Sequence, residues 1–268
     1  AQHSLGVMYE NGLGVKQNNE EALHWYKKSA GNIGEILKVI KWRYVPLKYK
    51  DSTLWLKNVA KYGSAFDQYD FGSMYYYGKG VSQDYKQAIL WWKKSAEQGA
   101  ISAQFNLGQL YRKGEGTDQD HKQAFYWYTK AAEQGYTPAQ YSLALMYSYG
   151  DGVALDHKQA FYWYTKAAEQ GHSFAQYNLA LMYSHGEGVA QDYKKAFSWY
   201  KKSALQGYVK AQFNLGVFYF EGKGTTQNYK HAYVWSSLAA AQGSKDAPTN
   251  RDFFAKQLSP QQLSQAQD

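Results

Sequence analysis

The sequence predicts an all-α solenoid, a stack of short helical hairpins, and three observations carry the prediction. Trp55, Trp91, Trp127, Trp163, Trp199 and Trp235 follow one another at intervals of 36 residues, and Trp25 lies 30 residues before the first of them. Paired glycines keep the same register: Gly12/Gly14, Gly78/Gly80, Gly114/Gly116, Gly150/Gly152, Gly186/Gly188 and Gly222/Gly224. Between these markers the apolar residues recur with the helical period and not with the two-residue period of a strand. A fixed period of this length is the signature of a repeat architecture, in which each unit is one supersecondary element.

Each unit reads as helix, turn, helix. In the first helix, A, residues Ala175, Leu179, Met182 and Tyr183 fall on one side and form the stripe to be buried. Gly186-Glu187-Gly188-Val189 then breaks the helix, because glycine takes up the positive φ of a helix C′ position. Asp84, Asp120 and Asp156, each followed three residues later by Gln87, Gln123 or Gln159, read as capping boxes that start the second helix, B. Its inward stripe is Ala196, Trp199, Tyr200 and Ser203, and Gly207 closes the unit. Gly72, Gly108, Ala144, Ala180 and Gly216 on A, with Ala88, Ala124, Ala160, Ala196 and Ala232 on B, mark the places where backbones come closest. An isolated hairpin of this length is marginal, so the units must stack to share a core.

The units run 1–30, 31–66, 67–102, 103–138, 139–174, 175–210 and 211–246, about seven in all. The second is degenerate: it keeps Trp55, Ala60 and Gly63 but carries Ile40-Lys41-Trp42-Arg43-Tyr44-Val45-Pro46-Leu47 in place of the glycine turn. This is repeat decay, or else a joint that presents Trp42, Arg43 and Tyr44. Residues 247–268 form the C-terminal cap, with a helix around Asn250–Ala255 and a fresh helix start at Ser259-Pro260-Gln261-Gln262. The chain begins at Ala1 without Met and inside a helix, which suggests that a leader or further sequence preceded it.

Composition narrows the function. With 44% hydrophobic and 18% aromatic residues the 268-residue chain is too apolar for disorder. A mean hydropathy of −0.67 and the absence of a long apolar run argue against a membrane-spanning helix. No cysteine means no disulfide or thiol chemistry. The net charge of +8 comes largely from lysines such as Lys94, Lys130, Lys166 and Lys202, repeated evenly on the outer side of the B helices. That pattern is a solvated face rather than the clustered arginine and exposed aromatic groove of a nucleic-acid site. The glycine pairs lack the strand and the Gly-Lys-Ser/Thr of phosphate loops. His121 and His157 occupy equivalent places, but stacked hairpins hold such positions about 8–10 Å apart, too far to share a metal. No cofactor, metal site or catalytic constellation is expected.

The motif A-Q-x-x-L-[GA]-x-x-Y-x-x-G-x-G-[VT], followed by Asp192, Ala196, Trp199, Ala204 and Gly207 in one unit, resembles the Sel1-like repeat, a relative of the tetratricopeptide repeat. The resemblance implies a right-handed superhelix and a non-enzymatic role in holding partner proteins, with bacterial secretion, host interaction or envelope processes as the usual settings. It favours the periplasm or the exterior over the cytoplasm. A second role it allows is that of a periplasmic immunity protein occluding a secreted toxin enzyme; a cell-wall hydrolase is a third class. In such superhelices helix A lines the concave side. The partner-binding positions there are an aromatic ladder of Tyr69, Phe105, Tyr141, Tyr177 and Phe213, flanked by Gln109, Leu145, Leu181 and Val217 and by Tyr76, Arg112 and Phe220. The ladder is either an exposed contact surface for a protein or peptide or is packed away by tight curvature.

Overall fold

The computed structural model describes residues 64–267 and, before them, residues 5, 8, 9, 12–18, 21, 24 and 25. Trp42, Arg43, Tyr44 and Trp55 of the degenerate unit lie outside the described residues. From Ser64 onward the chain is helical, with no strand among the described residues. The helices are α1 (Ala65–Tyr77), α2 (Tyr85–Glu97), α3 (Ile101–Lys113), α4 (His121–Glu133), α5 (Thr137–Tyr149), α6 (His157–Glu169), α7 (Ser173–His185), α8 (Tyr193–Leu205), α9 (Val209–Glu221), α10 (Tyr229–Ala241), α11 (Ala247–Ala255) and α12 (Pro260–Gln267). Odd-numbered helices up to α9 are A helices and their successors B helices, consecutive hairpins of a helical solenoid. The chain forms two compact units, residues 1–131 and 132–268.

In the first unit the core gathers Trp92, Ala96, Ala103, Leu107, Leu110 and Trp127. In the second, Ala160, Tyr164, Leu179 and Met182 form one cluster and Ala196, Tyr200, Leu215 and Phe218 another. Leu107, Leu143, Leu179 and Leu215 of the A-Q-x-x-L motif are fully buried, each contributing about 1.5–3 kcal/mol. The tryptophan that sets the period is not the deepest ring. Trp163 and Trp199 are half-buried, whereas the next residue, Tyr164 or Tyr200, is almost fully enclosed because it points at the small residue of its A helix. In the first unit a Cβ added at Gly72 or Gly108 would lie 2.5 or 2.6 Å from the ring of Trp92 or Tyr128.

The aspartates do cap the B helices, but only half of each expected capping box forms. Asp84 and Asp120 accept from the N–H of Gln87 and Gln123, and Asp156 from Lys158 and Gln159. The cap's own N–H goes elsewhere: Asp84, Asp120, Asp156, Asp192 and Asn228 donate to the carbonyls of Tyr75, Tyr111, Tyr147, Tyr183 and Tyr219, nine residues back. A backbone carbonyl at the end of helix A thus takes the donor that the glutamine would have used, and this bond fixes the hairpin turn. Ser259 and Gln262, by contrast, form both halves of the box that starts α12.

A buried glutamine ladder links successive hairpins. Gln140, Gln176 and Gln212, nearly enclosed near the start of each A helix, donate to the carbonyls of Ala132, Ala168 and Ala204 at the end of the preceding B helix. Their carbonyls accept from Gln170, Gln206 and Gln242 at the end of their own B helix, at 2.7–2.8 Å. One amide thus ties three helices, and none of its polar atoms needs water.

The second glycine of the later turns, at Gly116, Gly188 and Gly224, serves packing between hairpins. Gly188 has φ +67°, and a Cβ there would stand 2.2 Å from the carbonyl oxygen of His157 on the preceding B helix; Gly224 meets Tyr193 in the same way. Gly171 also has a positive φ, +90°, but open space around it. Both substitutions to alanine carry the left-handed penalty of about 1–2 kcal/mol, and only Gly188→Ala adds a backbone collision. Urea unfolding should therefore show Gly188→Ala losing at least about 2 kcal/mol more than Gly171→Ala; equal losses would refute the close approach.

Candidate functional site

On the A-helix face of the second unit Tyr141, Tyr177 and Phe213 stand one per hairpin, all half-buried. Their rings are neither free in solvent nor enclosed. Tyr141 packs over Tyr164 at 6.0 Å and is covered by His172, stacked at 4.5 Å. Tyr177 repeats the arrangement with Tyr200 at 5.8 Å and Tyr208 at 5.1 Å. Burial pushes both phenols above their ordinary pKa of 10.0, partly offset by the side chains of Asn178 and Asn214 on the next A helix. In the first unit Tyr69 stacks on Trp92 at 6.0 Å and accepts from Asn106, and Phe105 packs on Tyr128 at 5.6 Å. Phe213 alone among these five rings has no ring partner among the described residues.

A cleft of about 750 Å³ opens beside Phe213. Phe174, Tyr177, Tyr208, Phe213, Asn214 and Ser244 line it, together with the exposed Lys210, Lys245 and Asp246. The ladder supplied Tyr177 and Phe213 from sequence reasoning. Phe174, Tyr208, Lys210 and Lys245 were missed because the register search rewards what recurs. Their signal is departure from it: Phe174 stands where Pro138 and Lys210 stand in the neighbouring hairpins.

The remaining sequence-derived positions divide by their surroundings. Leu145 and Leu181 are half-buried against the core clusters, and Val217 is half-buried. Phe220 stacks on Phe254 of α11 at 4.6 Å and also meets Phe253, so the cap takes up its ring. In the first unit Gln109 is half-buried and Arg112 exposed, while the Tyr76 hydroxyl lies 3.5 Å from Glu115 and its ring packs on Tyr85 and Trp92. On the opposite side, Lys94 and Lys202 lie over the rings of Trp91 and Trp199 at 4.3 and 4.0 Å, laying their stems along aromatic surface. Among the described residues no group of three His, Asp or Glu side chains could hold a metal, and no helix is long and apolar enough to cross a membrane.

Stacked hairpins with a shared core and an aromatic A-helix face define a helical-repeat protein of the tetratricopeptide-like class. The Sel1 repeat matches residues 1–32, 65–99, 101–136, 137–172, 173–208 and 209–244, and the chain belongs to the Sel1 repeat family. This is a non-catalytic repeat scaffold family whose repeats generally mediate protein–protein interaction. A search of curated proteins returned no match. Among solved structures, a protective antigen present in uropathogenic Escherichia coli strains is 33% identical, with TM-score 0.55, over 99% of this chain and 66% of that one. A Sel1 repeat protein from Oxalobacter formigenes is 31% identical, with TM-score 0.65, over 99% of this chain and 70% of that one. The chain thus spans about two thirds of the length of these relatives. Immunity protein Pa5087 from Pseudomonas aeruginosa is 20% identical, with TM-score 0.41, over 75% of this chain and 81% of that one, a likeness that carries no functional weight.

His172 couples the site to pH. Its Nδ1 accepts the N–H of Ala175 at 3.2 Å as the cap of α7, which requires that nitrogen to be unprotonated, and burial lowers its pKa below the usual 6.5. The unfolded chain takes up a proton near pH 6.5 and the folded chain resists it, so this contribution is complete above that pH and is lost as pH falls below it. Replacing His172 by tyrosine, the residue at the equivalent Tyr208, should flatten the fall in Tm between about pH 7 and pH 5. A slope identical to that of the parent would show that the imidazole stays uncoupled.

Proposed function

We propose that this chain is a non-enzymatic scaffold that holds a protein or peptide partner on the A-helix face of its hairpins, in a bacterial secretion, host-interaction or envelope role. The observation that carries the reading is the row of half-buried rings, Tyr141, Tyr177 and Phe213, leading into an open cleft lined by further aromatics. Rings held by their neighbours lose little freedom on binding, and aromatic anchors in partly desolvated positions dominate protein interfaces. The host-interaction role draws support from the 33% identical protein of uropathogenic Escherichia coli strains, which is a protective antigen.

The test is a purified pair. A partner identified by affinity capture and mass spectrometry is titrated with the parent chain and with the double variant Tyr141→Ala/Tyr177→Ala. The reading expects affinity to fall at least about tenfold, the loss of one anchor's worth of contact. Unchanged affinity in a double variant that keeps its helical circular dichroism would remove the ladder from the interface.

A further inference from the structure

The repeat makes a vacancy visible. In each of the two preceding hairpins the ladder ring sits between two others: Tyr164 or Tyr200 from the B helix below, and His172 or Tyr208 from the entry to the next A helix. The equivalents around Phe213 are Ser236 and Ser244. The backbone equivalence is direct, since the N–H groups of His172, Tyr208 and Ser244 donate to the carbonyls of Ala167, Ser203 and Ala239 at 3.1, 3.3 and 3.0 Å. Phe213 therefore keeps the position of a packed ring without either ring partner, and the cleft lies where the upper one would stand, with Phe213 and Ser244 both in its lining. Lys210 and Lys245 are exposed in that lining, neither of them ion-paired among the described residues, against the single carboxylate of Asp246.

We infer that this cleft receives an aromatic side chain from an extended segment of a partner protein, the guest ring replacing the one missing over Phe213, with an acidic residue beside it meeting Lys210 and Lys245. The protein itself shows that a ring seats at this position, in two ways: His172 stacks on Tyr141 at 26° and Tyr208 meets Tyr177 edge-to-face at 78°. The charge sets the flanking residue, because a carboxylate gains two cations there and a lysine would be repelled. The inference rests on the reading of the A-helix face as a protein-binding surface and names the chemistry of what that face takes.

Three end-blocked pentapeptides test it: Gly-Asp-Phe-Asp-Gly, Gly-Asp-Ala-Asp-Gly and Gly-Lys-Phe-Lys-Gly, titrated into the isotope-labelled full chain and followed by amide shifts. The first should perturb the amides of Tyr208, Lys210, Asn214 and Ser244 and bind at least about tenfold more tightly than the other two. Ser244→Tyr, which installs the residue type of Tyr208 in the vacancy, should abolish those shifts while leaving Tm unchanged or raised. Equal binding of the alanine peptide, shifts confined to other surfaces, or undiminished binding by folded Ser244→Tyr would each overturn the inference. If Ser244→Tyr does not fold, the exposed pair Lys210→Glu/Lys245→Glu decides: the preference should reverse toward the lysine peptide, and a retained acidic preference overturns it. Self-association that Ser244→Tyr dissolves would also overturn it, by making a second copy the occupant. A partner protein that is lost by Tyr141→Ala/Tyr177→Ala but kept by Ser244→Tyr would sink the cleft while leaving the scaffold reading in place.

Discussion

The structure depends on a single amide repeated along the chain. Each hairpin's second motif residue, Gln140, Gln176 or Gln212, sits where three helices converge and supplies a donor to one and an acceptor to another. In such a buried position an unpaired polar group is costly, and a paired one is demanding about geometry. Apolar contacts would allow neighbouring hairpins to slide or rotate by a fraction of a turn with little loss. The glutamine does not, because both ends of the amide are committed, so it holds the stacking register to which the leucines and alanines then pack.

Given that register, each remaining invariant has a physical task. The αL glycine after helix A ends it, the second glycine admits the carbonyl of the preceding hairpin, and the bond from the B-helix cap to the tyrosine carbonyl sets the turn between them. These demands consume the recurring residues and leave few side chains free to be chosen for a ligand. Freedom lies at positions the stack does not constrain, and that is where the chain varies: Phe174 against Pro138 and Lys210, Ser244 against Tyr208. The candidate cleft is built from such departures.

The fold was legible in the sequence because helical hairpins with a fixed period leave period, breaker and cap on the page. Asp156 and Gly186, for example, announce helix boundaries by chemistry that acts within one turn. Less was legible about burial. Trp199 marks the period, yet Tyr200 is the deeper ring, because depth depends on a small residue, Ala180, on another helix. The expected box at Asp84 formed only half, since the competing acceptor, the carbonyl of Tyr75, is brought close only by the turn itself. Of the site, the ladder could be read from periodicity. The cleft could not, for it is defined by what is absent at Ser244, and an absence has meaning only once the neighbours that would have filled it are placed in space.

The small residue at Ser236 also bears on how the protein comes apart. Earlier hairpins are coupled by a large ring wedged between their A and B helices; the α9–α10 pair has a buried serine hydroxyl there with no hydrogen-bond partner. Its attachment leans instead on α11, where Phe254 stacks on Phe220. That makes α11 a latch on the α9–α10 hairpin. In hydrogen exchange the amides of α9 and α10 would open together once α11 lifts, as a sub-global unit ahead of the helices before them, so the segment that forms the cleft is also the one whose order a bound partner could most readily stabilise.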